Sequence, residues 1–159
     1  MIRDANPLLR PADPAESRQI ATLSRLHIEH GLNWRWTPAR VRKQVLDPET
    51  MVLVATVAGE LRGFAIMRFG DTQAHLLLLA VEPKSQHRGI GRALLEWLEL
   101  SVSTAGLQNV RVEVRASNTR AQDFYHSLGY RTIKQIDGYY DQRESAIVLL
   151  KEFGTPGTS

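Results

Sequence analysis

The most constraining feature of this chain of 159 residues is an apolar strand that leads through a glycine-bearing turn into an amphipathic helix. The strand pattern ends at Val81, the turn contains Gly89 and Gly91, and apolar side chains recur at helical spacing from Ile90 to Val102. Glycine lets the backbone approach a ligand closely, and the first N–H groups of a helix lack intrahelical partners and lie at the positive end of its dipole. This arrangement favours a bound phosphate or pyrophosphate.

The side chains around the two glycines narrow the choice of ligand. Gln86, Arg88 and Arg92 favour an anion site over a connection that merely packs tightly. The dinucleotide fingerprint needs a third small residue where this chain has Leu94, and the Gly-Lys-Ser/Thr tripeptide of the P-loop occurs nowhere in the chain. The spacing Gln-x-x-Gly-x-Gly at residues 86–91 remains.

Composition indicates a single globular domain over residues 1–153, with a frayed tail at 154–159. A net charge of +3 without a basic run argues against nucleic-acid binding, and the apolar runs are too short to span a membrane. The absence of cysteine excludes disulfides, thiolate metal sites and a cysteine nucleophile. The charged N-terminus lacks the apolar stretch of a secretory signal. We therefore expect a cytoplasmic protein without a metal, either monomeric or homodimeric.

The order of the predicted elements indicates an α/β (α+β) protein with a mixed sheet and helices on both faces. Three antiparallel strands follow two helices, and a strand, a helix and a final strand pair follow the glycine turn. The pattern predicts strands over 8–11, 51–57, 61–69, 73–81, 110–115, 130–136 and 145–150. It predicts helices from Pro14 to about His30, from Pro38 to about Leu46, from Gly89 to about Gly106 and over 118–128.

Two motifs in this order resemble the GCN5-related N-acetyltransferase (GNAT) family. The first is the Gln86 to Gly91 spacing after Val81-Glu82-Pro83, and the second comprises residues 112–118 and 124–130. The second motif is similar to the branch that acetylates protein N-termini, of the ribosomal-protein alanine acetyltransferase type. These two motifs carry the resemblance, and the N-terminal part up to about residue 70 shows only general family character.

The resemblance implies acetyl-CoA as the cofactor and a mostly antiparallel sheet of six to seven strands with a V-shaped split between two central strands. Backbone groups freed by the split would pair with the pantetheine amides, and we expect Leu79 and Val81 to supply them. The implied cofactor-binding residues are the strand end, the turn, the start of the following helix and three positions on or next to a later helix: Leu79, Ala80, Val81, Gln86, His87, Arg88, Gly89, Ile90, Gly91, Arg92, Ala93, Asn118, Ala121 and Tyr125.

Glu113 is the candidate general base for transfer of an acetyl group from a thioester to an amine. The valines of Arg111-Val112-Glu113-Val114-Arg115 share one strand face, so Glu113 shares the other with the two arginines. The pattern alone favours a solvated strand face with ion pairs. The resemblance favours the catalytic role. Since nearby cations lower a carboxylate pKa, we expect proton removal through a water chain.

Tyr125 is the candidate proton donor to the departing coenzyme A thiolate. Its position on a helix in line with Ala121 and Leu128 is also typical of a core aromatic residue. The resemblance places a catalytic tyrosine here and gives Asn118 a cofactor contact beside its role as a helix cap.

Two aromatic pairs are candidates for the substrate entrance. Trp34 and Trp36 precede the second helix, and Tyr139 and Tyr140 lie in a predicted loop between the last two strands. Burial under the sheet is the alternative. The resemblance favours the α-amine of a protein or peptide as acceptor. A small amine such as a polyamine or amino-sugar, and a non-catalytic acyl-CoA sensor, remain as alternatives.

Overall fold

The computed structural model describes residues 6–154, so the expectations for the charged N-terminus and for most of the tail lie outside the described residues. The strands are β1 Leu8–Pro11, β2 Thr50–Val57, β3 Glu60–Phe69, β4 Gln73–Val81, β5 Asn109–Arg115, β6 Arg131–Tyr140 and β7 Glu144–Glu152. The helices are α1 Ser17–His27, α2 Pro38–Val45, α3 Ile90–Thr104 and α4 Thr119–Ser127. No helix within the described residues is long and apolar enough to cross a membrane.

Local capping signals set the helix starts. Asp13 and Glu16 form a capping box around the 3₁₀ turn Pro14–Glu16 that precedes α1. The Thr37 hydroxyl accepts from the Arg40 N–H at 3.4 Å at the start of α2. The predicted first helix is too long at its C-terminal end, because α1 ends at His27 rather than near His30.

All seven strands form one sheet in the order β1-β2-β3-β4-β5-β7-β6. β2, β3 and β4 form the predicted antiparallel meander, and β5 joins β4 as a parallel neighbour after the α3 crossover. Helices cover both faces. Ile20 of α1 and Val41 of α2 lie in one apolar cluster, and Leu94 of α3 and Tyr125 of α4 lie in the other. The predicted mixed sheet with helices on both faces is therefore present.

The sheet splits between β4 and β5. The two strands pair only from Gln73 opposite Asn109 to Leu76 opposite Val112, so residues 77–81 and 113–115 have no partner across the gap. An irregularity in the β3–β4 pairing leaves Leu77 unmatched at the point where the gap opens. Leu76 and Leu78 consequently pack in different apolar clusters. The predicted V-shaped split is therefore present.

The last two strands are longer than predicted. β6 continues to Tyr140, so Tyr139 and Tyr140 end a strand instead of lying in a loop. β6 is one of the two edge strands, and most of its residues are exposed. Its side chains therefore lack the strong apolar alternation that marks a half-buried strand.

Candidate active site

An open cleft of about 960 Å³ lies where β4 and β5 diverge. The free part of β4, the glycine turn and α4 supply most of its wall. Twelve of the fourteen predicted cofactor-binding residues line it: Leu79, Ala80, Val81, Gln86, His87, Gly89, Ile90, Gly91, Arg92, Asn118, Ala121 and Tyr125. Glu113 and Tyr140 line the same cleft. One concave surface thus joins the predicted anion site to both candidate catalytic side chains.

The turn before α3 has the backbone geometry of an anion site. Gly89 is the N-cap with φ +81°, and a Cβ built on it would meet nothing within 4 Å. The Ala93 N–H makes the first intrahelical bond, to the Gly89 carbonyl at 2.9 Å. The N–H groups of residues 90–92 precede that bond and have no intrahelical acceptor. They remain for a ligand at the positive end of the helix dipole.

Gln86 has a second role that its position in the motif did not reveal. Its Nε2 donates to the Val81 carbonyl at 3.1 Å, which ties the turn to the end of β4. His87 follows with φ +65°, a conformation that costs a non-glycine residue on the order of 1–3 kcal/mol. The turn is therefore held in a strained, preformed shape.

Two predicted cofactor-binding residues do not line the cleft. The Ala93 N–H is already used inside α3, so that backbone group is not available to a ligand. Arg88 lines a neighbouring pocket of about 540 Å³ together with Arg62 and Lys84. Arg88 therefore lines a different surface from the cleft although it lies within the motif.

Glu113 lies one residue beyond the last β4–β5 pair, where the gap begins. Its side chain is 7% exposed, and both of its oxygens accept hydrogen bonds, Oε1 from Arg111 Nε at 2.7 Å and Oε2 from His75 Nε2 at 2.5 Å. Burial by itself would raise the pKa of Glu113, but the bonds and charges of His75 and Arg111 outweigh it and hold that pKa below the ordinary value. Glu113 is therefore an anion at neutral pH.

The surroundings of Glu113 differ from the sequence expectation in one partner. Arg111 contacts it as the shared strand face suggested, whereas Arg115 turns away to Glu144, with Nε to Oε2 at 2.6 Å. His75 of β4, instead of Arg115, is the second hydrogen-bond partner of Glu113. Only the register of the parallel pair, which sets His75 opposite Arg111, brings that histidine into reach.

Tyr125 of α4 is 6% exposed and lines the cleft. Its ring packs edge-on against Phe124 at 5.1 Å and Tyr130 at 5.5 Å between centroids. Burial raises the pKa of Tyr125, so its hydroxyl keeps its proton at neutral pH. It is both a packed aromatic residue and a potential proton donor. Asn118 caps α4 by accepting from the Ala121 N–H at 3.0 Å.

The predicted substrate aromatics divide into two groups. Trp36 is 8% exposed in the apolar cluster beneath α1 and α2, and Trp34 packs against the same cluster. Neither residue lines the cleft, which favours the burial alternative for this pair. Tyr140 lines the cleft, and Tyr139 is 45% exposed beside it with the two rings 4.9 Å apart.

A polar network fixes the segment between α1 and α2 against β5 and the β6–β7 turn. Arg115 Nη1 donates to the His30 carbonyl at 2.8 Å, and Arg143 Nη1 donates to the Gly31 carbonyl at 3.1 Å. Asp141 accepts from the Asn33 N–H at 2.8 Å and pairs with Arg35. Sequence reasoning did not find these contacts, because the partners lie 85 to 112 residues apart.

Buried Glu29 shapes the same segment from within. It is 7% exposed, and its Oε1 accepts from the backbone N–H groups of Arg35 at 2.8 Å and Trp36 at 3.2 Å. Its Oε2 accepts from the Ser24 hydroxyl at 2.8 Å. One carboxylate thus folds the segment back over α1 and buries Trp36.

The comparison with known proteins agrees with this geometry. A family model for the acetyltransferase (GNAT) domain matches residues 20–138. The [ribosomal protein bS18]-alanine N-acetyltransferase of Escherichia coli K12 is 39% identical over 97 residues, which are 59% of this chain and 66%, just under two thirds, of that protein. The N-alpha-acetyltransferase RimI of Mycobacterium tuberculosis is 34% identical over 126 residues, 76% of this chain and 78% of that one.

A solved structure extends the likeness to the whole fold. The ribosomal-protein-S18-alanine N-acetyltransferase from Escherichia coli superposes with a TM-score of 0.80 at 26% identity, covering 96% of this chain and 97% of that chain. The family model spans most of the chain, and the split sheet and glycine turn are those that the resemblance implied. The chain belongs to the GNAT family of acetyltransferases, whose co-substrate is acetyl-CoA.

Proposed function

We propose that this protein transfers the acetyl group of acetyl-CoA directly to the N-terminal α-amine of a protein or peptide. The observation that carries the proposal is that Glu113 and Tyr125 line the same cleft as the glycine turn before α3. A base, an acid and an anion site on one surface are what direct acyl transfer from a thioester to an amine requires. A non-catalytic acyl-CoA sensor would need the anion site but neither the base nor the acid.

The chain's backbone supplies the binding of the cofactor. The free N–H groups of residues 90–92 would hold the pyrophosphate, and the unpaired edge of β4 would pair with the pantetheine amides like an added strand. The bound thioester supplies the electrophilic carbonyl. Because the amine attacks it directly, no covalent enzyme intermediate is needed.

Glu113 is suited to act through water. A carboxylate has about four acceptor sites, and the bonds from His75 and Arg111 use two of them. The lowered pKa makes the carboxylate a weak direct base, but it keeps the group ionised, so its unused acceptor sites can bind an ordered water. We infer that a water held by Glu113 takes the amine proton. Tyr125, which burial keeps protonated, then gives its proton to the departing thiolate.

The charges beside the acceptor entrance favour a peptide over a polyamine or an amino-sugar. A polycationic acceptor needs unpaired carboxylates, and Glu29, Asp141 and Glu144 are each engaged by hydrogen bonds from the chain. Tyr139 and Tyr140 instead offer aromatic faces and hydroxyls beside the cleft. One relative named above is a ribosomal-protein alanine N-acetyltransferase and another is an N-alpha-acetyltransferase, and both names support the same acceptor class.

The decisive experiment is a competition among acceptors. The protein is incubated with acetyl-CoA and a mixture of peptides with free N-termini, polyamines and amino-sugars, and products are identified by mass spectrometry while released thiol is measured. We expect acetylated peptide N-termini, with turnover lowered roughly 10²-fold or more in Glu113→Gln. Acetylation of the small amines alone would replace the acceptor assignment, and no thiol release with any amine would favour the sensor.

The absence of cysteine and the modest charge of +3 are consistent with a cytoplasmic enzyme that requires neither nucleic acid nor a membrane. We propose that it works there as a monomer or homodimer.

A further inference from the structure

We propose that His75 is a positioning residue that fixes the Glu113 carboxylate at the point where the sheet splits. This role rests on the proposed acetyl transfer, since it concerns the presentation of the general base. His75 contacts Glu113 and does not line the cleft, so it acts on the reaction only through that carboxylate.

The location of the pair gives the first argument. His75 lies opposite Arg111 within the paired part of β4 and β5, whereas Glu113 is the first residue of β5 beyond the last pair. The hydrogen bond of 2.5 Å between His75 Nε2 and Glu113 Oε2 therefore links the two strands across the point where backbone pairing stops. We call this contact the His75–Glu113 clip.

The chemistry of the two groups fixes the direction of the bond. The pKa of Glu113 lies below its ordinary value, so the carboxylate is ionised at neutral pH and can only accept. His75 Nε2 must then carry the hydrogen and donate it. Arg111 donates to the other oxygen at 2.7 Å, so the carboxylate is held at both oxygens by donors from two strands.

Two donors on two strands restrict the carboxylate more than Arg111 alone would. Arg111 and Glu113 lie on one strand, and their contact leaves the side chain of Glu113 free to turn with that strand. The donor from β4 fixes the remaining rotation and leaves the two unused acceptor sites in a defined direction. A displacement of a catalytic group by about 1 Å can lower a rate by about 10²-fold, so removal of the clip should impair catalysis.

The exposed fractions of the two side chains make the clip testable without loss of the fold. Glu113 is 7% exposed, but His75 is 36% exposed, between Arg68 on β3 and Arg111 on β5. Leucine at this strand position removes the donor and keeps a similar volume. Glutamine keeps a donor N–H that can reach the same oxygen.

The first experiment compares His75→Leu and His75→Gln in steady-state kinetics. We expect His75→Leu to lower kcat about 10²-fold with the KM for acetyl-CoA unchanged, and His75→Gln to recover roughly tenfold of that loss. His126→Leu is the matched control, because that exposed histidine bonds Thr132 at 3.0 Å and does not line the cleft. A purely structural histidine would instead lower the melting temperature and leave kcat unchanged, which would overturn the role.

The second experiment does not depend on turnover. Proton NMR of ¹⁵N-labelled protein should show a downfield Nε2–H signal of His75, protected from exchange, that disappears in Glu113→Leu. Its absence from the wild type would overturn the clip whatever the activity. Failure of the wild type to release thiol with any amine would overturn the proposed function and the role of His75 together. If the wild type is active and His75→Leu has the same turnover, only the role of His75 is overturned.

Discussion

Tyr125 and Tyr130 pack against each other, and the loss of their hydroxyls should have opposite consequences. The Tyr130 hydroxyl donates to Glu99 Oε2 at 2.8 Å, and both residues are buried, at 3% and 8% exposed. Among residues 6–154 no hydrogen bond reaches the Tyr125 hydroxyl, which belongs to the cleft. We therefore expect Tyr130→Phe to lower stability and spare activity, and Tyr125→Phe to lower activity and spare stability.

The magnitudes follow from the contacts. A hydrogen bond to a charged group contributes about 1.5–3 kcal/mol, and Lys151 at 3.1 Å still pairs with Glu99 after the loss of the Tyr130 hydroxyl. We expect Tyr130→Phe to cost about 2 kcal/mol of unfolding free energy, or roughly 4–8 °C in melting temperature for a domain of this size. Tyr125→Phe should change stability by less than about 0.5 kcal/mol and lower kcat about 10²-fold.

Thermal unfolding followed by circular dichroism and thiol release from acetyl-CoA measure the two effects on the same preparations. Each variant is the control for the other, since both substitutions remove one hydroxyl from adjacent buried rings. If Tyr125→Phe kept full turnover, Tyr125 would be a packing residue only. If Tyr130→Phe had the same melting temperature as the wild type, the buried hydrogen bond to Glu99 would contribute nothing to stability.

Three further substitutions test other parts of the site. Gly89→Ala and Gly106→Ala introduce the same strain, at φ +81° and +76°, and in neither case does the new Cβ meet an atom within 4 Å, so both should lose roughly 1 kcal/mol of stability. Only Gly89→Ala should weaken coenzyme A binding in calorimetry, by about tenfold or more. If Gly89→Ala and Gly106→Ala bound coenzyme A with equal affinity, the anion site at the turn would be contradicted. The fold lowers the pKa of Glu113 from 4.5, so the ionised carboxylate stabilises the folded state above that pH, and this stability is lost as the pH falls through the lowered pKa. The free energy of unfolding, measured with denaturant, should therefore fall less between about pH 5 and pH 3 in Glu113→Gln than in the wild type. Arg115→Gln frees the segment before α2 and should raise the KM for the peptide roughly tenfold without affecting acetyl-CoA, whereas Arg131→Gln, which removes an exposed ion pair, should change neither.

The sequence by itself determined the features that depend on neighbouring residues. The caps at Asp13, Thr37 and Asn118, the left-handed Gly89 and the three-strand meander arise from local signals, since a cap or a turn involves residues within about four positions. The spacing of residues 86–91 was therefore enough to predict an anion site at the turn that lines the cleft. Glu113 and Tyr125 followed from the second motif and lie in the same cleft.

Only the tertiary structure decided which distant groups meet. His75 and Glu113 are 38 residues apart, and they meet because the parallel register and the split bring them together. Arg115 could have stayed beside Glu113 as the strand pattern suggested, but its guanidinium donates instead to Glu144, 29 residues away, and to the His30 carbonyl, 85 residues away. Trp36 could have faced a substrate, but Glu29 folds its segment inward. Periodicity records which face a side chain occupies, whereas contacts across the sheet depend on register and on the path of the chain between strands.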